Sequence, residues 1–189
     1  LLSRRQRQMC IRDSNYEQLE QLLSAHHAEY EKVIVVTESI FSMDGDEADL
    51  NRLVRLKRQY DRVLLYVDEA HAVGVRGEHG LGCAEEQGCI GEIDFLCGTF
   101  GKALASVGGY VVCSRTVHDY LVNKMRTLIF TTALPPVNLM WTYFIIERLA
   151  QFRDRRQHLQ RLSFQLKEGL LAACLLYTSP SPRDPKTSR

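Results

Sequence analysis

The run Val63-Leu64-Leu65-Tyr66-Val67, stopped by Asp68-Glu69-Ala70-His71, constrains this chain more than any other stretch. Five consecutive apolar residues without alternation fit a strand buried on both faces, as in parallel sheets. A parallel strand needs neighbours reached through crossover connections. The sequence supplies them: 33–37 is a second, β-branched run, and 94–97 and 109–113 read as a third and a fourth strand. Helical spacing runs over 15–30 through Leu19, Leu22 and Leu23, and over 49–60 through Leu50, Leu53, Val54 and Leu56. A further helix is predicted over 117–125, and Pro135 is predicted to open another from a first-turn position. This rhythm predicts an α/β fold with an open, mostly parallel sheet. In such sheets ligands gather at the carboxyl ends of the strands, where Asp68 and His71 stand.

Composition excludes several classes. The 189 residues suffice for one domain with a real core, and a net charge of +1 gives no electrostatic reason to expect nucleic acid or an anionic membrane as partner. No apolar stretch reaches the length of a membrane span. Cys10, Cys83, Cys89, Cys97, Cys113 and Cys174 include no C-x-x-C pair, so a zinc site is not expected. Three of them fall in or beside predicted strands as buried thiols do, which fits a reducing cytoplasm. The chain opens in mid-protein, with no signal peptide to read. Residues 1–14 are basic and aperiodic, and 174–189 are rich in Pro and Ser. Both ends are expected to be disordered and foreign to the fold.

A second feature lies downstream, in Cys97-Gly98-Thr99-Phe100-Gly101-Lys102-Ala103-Leu104. A lysine beside glycine is usually a solvated loop residue. Here it follows a predicted strand, about thirty residues after the acids that end another. A lysine that forms a Schiff base needs a small-residue loop for close approach and a partly desolvated amine. Asp68-Glu69-Ala70-His71 also spells the signature of a helicase group whose acids hold magnesium at a nucleotide. That reading needs an upstream phosphate loop of the form G-x-x-x-x-G-K-[ST]. The Gly101-Lys102 pair lies downstream, is followed by Ala103, and has Leu96 where the first glycine belongs. The helicase reading fails.

With these residues in place, the segment from about 15 to about 152 resembles the α-oxoamine synthase family of pyridoxal-phosphate enzymes. The resemblance implies the large domain of the fold-type I aminotransferases, truncated at both ends. Residues 15–152 would form its central part, and 153–173 a helix leading toward a small domain. It implies pyridoxal 5'-phosphate on Lys102 and Asp68 at the ring nitrogen. His71 and Ser42 would lie near the phenolic oxygen. Thr99 would contact the phosphate, with Thr131 and Thr132 adding phosphate contacts across a homodimer with a shared active site. The implied substrates are an amino acid and an acyl thioester, joined with loss of carbon dioxide. Thr37-Glu38-Ser39 and residues 130–136 favour L-alanine with a pimeloyl thioester over the glycine-using members.

Each residue also has a plainer reading. Asp68 could cap the next helix, His71 could be a packed core histidine, and the threonines could serve strand or cap chemistry. Met43-Asp44-Gly45-Asp46 reads as a turn rather than a metal loop, because the other oxygen ligands of a calcium site are missing. His26, His27, His79, His118 and His158 lack partners at useful spacing and are expected on the surface. Two departures from the family stand out. Ala105 occupies a position where glycine is common, and the family's N-terminal stacking ring and phosphate loop are not in this sequence. A different class of function, a catalytically silent homologue that dimerises or binds a partner, is disfavoured by the joint presence of Lys102, Asp68, His71 and Thr99.

Overall fold

The computed structural model describes residues 15–43 and 45–173. The two ends expected to be foreign, 1–14 and 174–189, lie outside the described residues, as does Asp44. The chain runs α1 (Tyr16–His26), β1 (Val33–Glu38), α2 (Leu50–Gln59), β2 (Val63–Asp68), α3 (Cys83–Glu86), β3 (Phe95–Thr99), β4 (Gly109–Cys113), α4 (Arg115–Lys124), α5 (Arg126–Ile129), α6 (Pro136–Arg148) and α7 (Arg153–Ala172). The four strands form one sheet in the order β1-β2-β3-β4. The first three are parallel and β4 is antiparallel to β3. The mostly parallel sheet expected from the sequence is present, and the direction of β4 is what apolar runs alone do not give.

Local chemistry sets the helix ends. Asn15 caps α1 by accepting from the backbone N–H of Gln18, and Asp49 caps α2 by accepting from that of Arg52. All four apolar residues assigned to the inner face of α2 are buried: Leu50, Leu53, Val54 and Leu56. Helix α4 begins two residues earlier than its apolar spacing predicts, because Ser114 caps it. Helix α6 starts one residue later than expected, with Pro135 at the N-cap and Pro136 in the first turn. Four short elements, α3, α5 and the 3-10 turns Ile90–Glu92 and Leu149–Phe152, were not expected. They are too short to show a period.

The pleat divides β2 between two environments. Val63, Leu65 and Val67 are buried, and Leu65 and Val67 pack with Leu50, Leu53, Val54 and Leu96 in the main core. Leu64, Tyr66 and Asp68, on the other face, are half-buried. That second face is uncovered along β1, where Ile34 is 54% and Val36 66% exposed. Helix α6 is similarly bare, with Val137, Met140, Tyr143 and Phe144 all exposed. A helix apolar on all sides belongs inside a larger body.

The isolated 189-residue chain should therefore self-associate and bind an apolar fluorescent dye. Sedimentation and dye titration test this, and a monomeric, dye-silent chain would contradict it.

Candidate active site

Ladder register brings the carboxyl ends of β1, β2 and β3 to one level, with Glu38 opposite Asp68 and Asp68 opposite Cys97. Two backbone hydrogen bonds carry this alignment past the strands: Ser39 donates to the Asp68 carbonyl at 2.9 Å and Glu69 to the Cys97 carbonyl at 2.8 Å. The period of two then sends the adjacent acids to opposite faces. Asp68 is half-buried, and its Oδ1 accepts from the Ala70 N–H at 2.8 Å. No helix begins there, so Asp68 closes a local turn rather than capping a helix, while its second carboxylate oxygen takes no hydrogen bond from another described residue.

Glu69 faces the core and is 0% exposed. Its Oε2 accepts from the Ser39 hydroxyl at 2.6 Å and the Cys83 N–H at 3.0 Å, and its Oε1 from the Ala84 N–H at 2.7 Å. A side chain at Gly82 would run into this carboxylate, so the approach needs glycine there. Sequence reasoning passed over Glu69. The signal was available, because Glu69 continues the buried phase of Val63, Leu65 and Val67.

The lysine turn joins β3 to the antiparallel β4, closed by the pairing of Thr99 with Gly109. Phe100 donates to the Gly108 carbonyl at 2.9 Å, and Ser106 to that of Phe100 at 2.8 Å. Thr99 Oγ1 donates to the Gly108 carbonyl at 3.1 Å and accepts from the Gly101 N–H at 3.1 Å. Leu104 anchors the turn in a small buried cluster with Val73 and Leu149. A Cβ on Gly74 would lie 3.0 Å from that of Ala103, so the segment after β2 presses directly on the lysine turn. Ala105, where the family favours glycine, has φ 47°.

Lys102 is exposed, and its ammonium makes no hydrogen bond or ion pair with another described residue. This corrects the expected partial desolvation, since nothing among the described residues covers the amine. His71 is half-buried without a hydrogen-bond partner among the described residues. Register and the Gly74–Ala103 approach thus place Asp68, His71, Thr99 and Lys102 at the ends of neighbouring strands. Ser42 sits on an exposed turn after β1. Thr131 and Thr132 are exposed in the irregular stretch before α6, and Thr131 Oγ1 reaches only the Thr132 carbonyl at 3.4 Å.

Four of the five remaining histidines do have partners, contrary to expectation, but local ones; His158 is exposed. His79 Nδ1 lies 2.5 Å from Glu85, His26 3.1 Å from Glu29 and His118 3.0 Å from Asp119. His27 Nδ1 lies 2.8 Å from the Leu23 carbonyl. Arg76 pairs with both Glu86 and Glu47, which hold its guanidinium well above the ordinary arginine value. Among the described residues no group of three or more His, Cys, Asp or Glu could hold a metal.

A free primary amine, a carboxylate with an open oxygen and an unpaired imidazole fit the donor set that pyridoxal phosphate requires. Thr99 fits less directly, because its hydroxyl is engaged within its own turn.

Comparison with known proteins agrees with this chemistry. The family model for aminotransferase class I and II matches residues 12–182. A protein of Glaesserella parasuis named "Putative 8-amino-7-oxononanoate synthase" is 62% identical over 79% of this chain and 40% of its own length. A Pasteurella multocida protein of the same name is 57% identical over 85% of this chain and 42% of its own. The chain thus spans about two fifths of the length of these relatives. Among solved structures, Sphingomonas wittichii serine palmitoyltransferase superposes with a TM-score of 0.79 at 35% identity, covering 84% of this chain and 39% of that one. The 8-amino-7-oxononanoate synthase of Francisella tularensis superposes with a TM-score of 0.68 at 29% identity, covering 87% and 48%.

The core beside the site gives an alkaline prediction. Burial, and after it the Glu69 carboxylate, pushes the Cys83 thiol up from 9.0 to about 11. Burial, then Glu69 and Asp68, pushes the Tyr110 phenol from 10.0 to about 12. In the window between, the unfolded chain releases protons that the fold retains, so stability is full below about pH 9 and falls as pH rises. Denaturant unfolding of the full-length protein from pH 8 to 11 should show a falling midpoint, with a shallower slope in Cys83→Ala. An unchanged midpoint across that range would refute it.

Proposed function

The chain belongs to the aminotransferase class I and II family, and from that premise we propose that its full-length protein is a pyridoxal-phosphate-dependent acyltransferase. In this reading it condenses L-alanine with a pimeloyl thioester to give 8-amino-7-oxononanoate, a step of biotin synthesis. The observation that carries the proposal is the exposed, unpartnered Lys102 amine in the turn that follows β3, the strand paired with β2, whose last residue Asp68 keeps an open carboxylate oxygen. The printed names of relatives at 57% and 62% identity support the choice of product.

When bound, the cofactor supplies an electron sink for the α-carbon of the amino acid. The Lys102 amine would hold it covalently, and its Nζ, when free, would take the α-proton of the substrate. Asp68 holds the proton on the ring nitrogen through a charge-assisted hydrogen bond, a contact of roughly 1.5–3 kcal/mol. His71 and Ser42 supply polar hydrogens to the phenolic oxygen. Thr99 would offer its hydroxyl, now donated to the Gly108 carbonyl, to the phosphate. Thr131 and Thr132, which are exposed, would serve the phosphate of a second copy in a homodimer. A cytoplasmic setting completes the proposal, and no described helix is long and apolar enough to cross a membrane.

Borohydride reduction of the cofactor-loaded full-length protein should leave the reduced adduct on Lys102, by peptide mapping. An adduct on Lys57 or Lys124 would remove the assignment. Asp68→Asn should retain cofactor yet slow α-proton exchange by about 100- to 10,000-fold. A parental rate would show that Asp68 does not touch the ring nitrogen.

For substrate choice, alanine and a pimeloyl thioester should release carbon dioxide and free thiol. Equal turnover with glycine and acetyl-CoA would move the assignment to glycine C-acetyltransferase, and with glycine and succinyl-CoA to 5-aminolevulinate synthase. Absence of any cofactor adduct would favour the silent homologue.

A further inference from the structure

Helix α6 reaches the lysine turn through two polar side chains. The indole Nε1 of Trp141 donates to the Ala105 carbonyl at 2.9 Å, and the hydroxyls of Thr142 and Ser106 lie 2.7 Å apart. Thr142 is buried, whereas Trp141 is 45% exposed. Both contacts fall on the residues that bring the chain back from Lys102 toward β4. The backbone there is unusual: Ala105, at φ 47°, is the one non-glycine residue with positive φ among the described residues. That conformation crowds a Cβ against the following carbonyl and costs an L-residue free energy that glycine escapes. The conformation persists only if its surroundings hold it. On one side the Ala105 N–H donates to the Lys102 carbonyl at 3.0 Å. On the other, the Ala105 carbonyl meets the indole.

We propose that Trp141 is a positioning residue for Lys102: its N–H holds Ala105 in the left-handed conformation and thereby fixes the short turn that presents the amine. The hold acts at both ends of one peptide loop, since Ala105 is tied to Lys102 by its N–H and to α6 by its carbonyl. Thr142 steadies the next residue through Ser106. Glycine at position 105 would adopt the same backbone unaided, so the need for Trp141 follows from the alanine. Simple packing is the competing account, because the indole also stacks on Phe144 with centroids 5.8 Å apart. Trp141→Phe keeps an aromatic ring beside Phe144 while removing the donor, and the glycine background at position 105 cancels the packing change common to both. The inference rests on the reading that Lys102 attaches the cofactor.

The test is a double-mutant cycle in the full-length protein: parent, Trp141→Phe, Ala105→Gly and the double variant. Two readouts are taken: amide hydrogen exchange over residues 100–108 without added cofactor, and the fraction of Lys102 trapped by borohydride at a limiting pyridoxal phosphate concentration. Trp141→Phe should speed exchange in this segment about tenfold and lower trapping at least fivefold. On the Ala105→Gly background the same change should alter either readout less than twofold. An equal effect of Trp141→Phe on both backgrounds, or none on either, overturns the proposal in favour of packing. If no variant, parent included, traps cofactor on Lys102, the functional reading falls, and the exchange arm alone decides whether Trp141 holds the turn.

Discussion

Ser39 at the end of β1, and Cys83 and Ala84 at the start of α3, each place a polar hydrogen on the carboxylate of Glu69. These donors come from segments more than forty residues apart, and the acceptor lies without solvent exposure between them. A charge is stripped of water here only because three neutral donors replace that water. Removing the acceptor would leave three buried donors open, each at about 1–3 kcal/mol. The consequence for Asp68 is geometric. It is the residue before an immobile one, on the opposite side of the pleat, and its backbone carbonyl is tied to Ser39. Its direction is therefore set by its neighbour's burial, while its own side chain keeps an open oxygen.

Much of this was legible from the residues. Continuous apolar runs gave β1, β2 and β3 as strands, although among the described residues the pleat buries only one face of β2 and leaves Ile34 and Val36 of β1 exposed. The i, i+3, i+4 spacing of Leu50, Leu53, Val54 and Leu56 gave α2 and its inner face together. Glu69 was not read, although it continues the buried phase of β2, because a carboxylate next to a candidate catalytic acid draws attention to chemistry rather than to packing. The solvation of Lys102 was misjudged for a different reason. Desolvation depends on what lies over the amine, and a motif carries no information about that.

The letters Asp68-Glu69-Ala70-His71 show how little a tetrapeptide specifies by itself. In a nucleotide-binding frame the same acids would need a phosphate loop upstream. Here the strand after them leads instead to a turn with an unpartnered lysine, and β3 lies in register beside β2. The chemistry is assigned by the neighbouring strand. The pleat makes a further distinction inside the motif, giving Asp68 to the open face and Glu69 to the core. Two chemically similar side chains, adjacent in sequence, thus acquire different duties from the strand's period of two.

The same economy explains why the amine stands bare while the turn beneath it is tightly held. Leu104 is buried against Val73 and Leu149, Thr99 closes the loop base, and α6 reaches Ala105 and Ser106. Lys102 lies between these anchors with its own side chain free. A long, flexible lysine side chain loses considerable rotamer freedom when it is fixed, so an immobile backbone lowers what remains to be ordered at the reacting nitrogen. Burial of the amine itself is not supplied by the described residues. Elsewhere, Ile34 and Val36 of β1 and much of α6 are apolar and exposed.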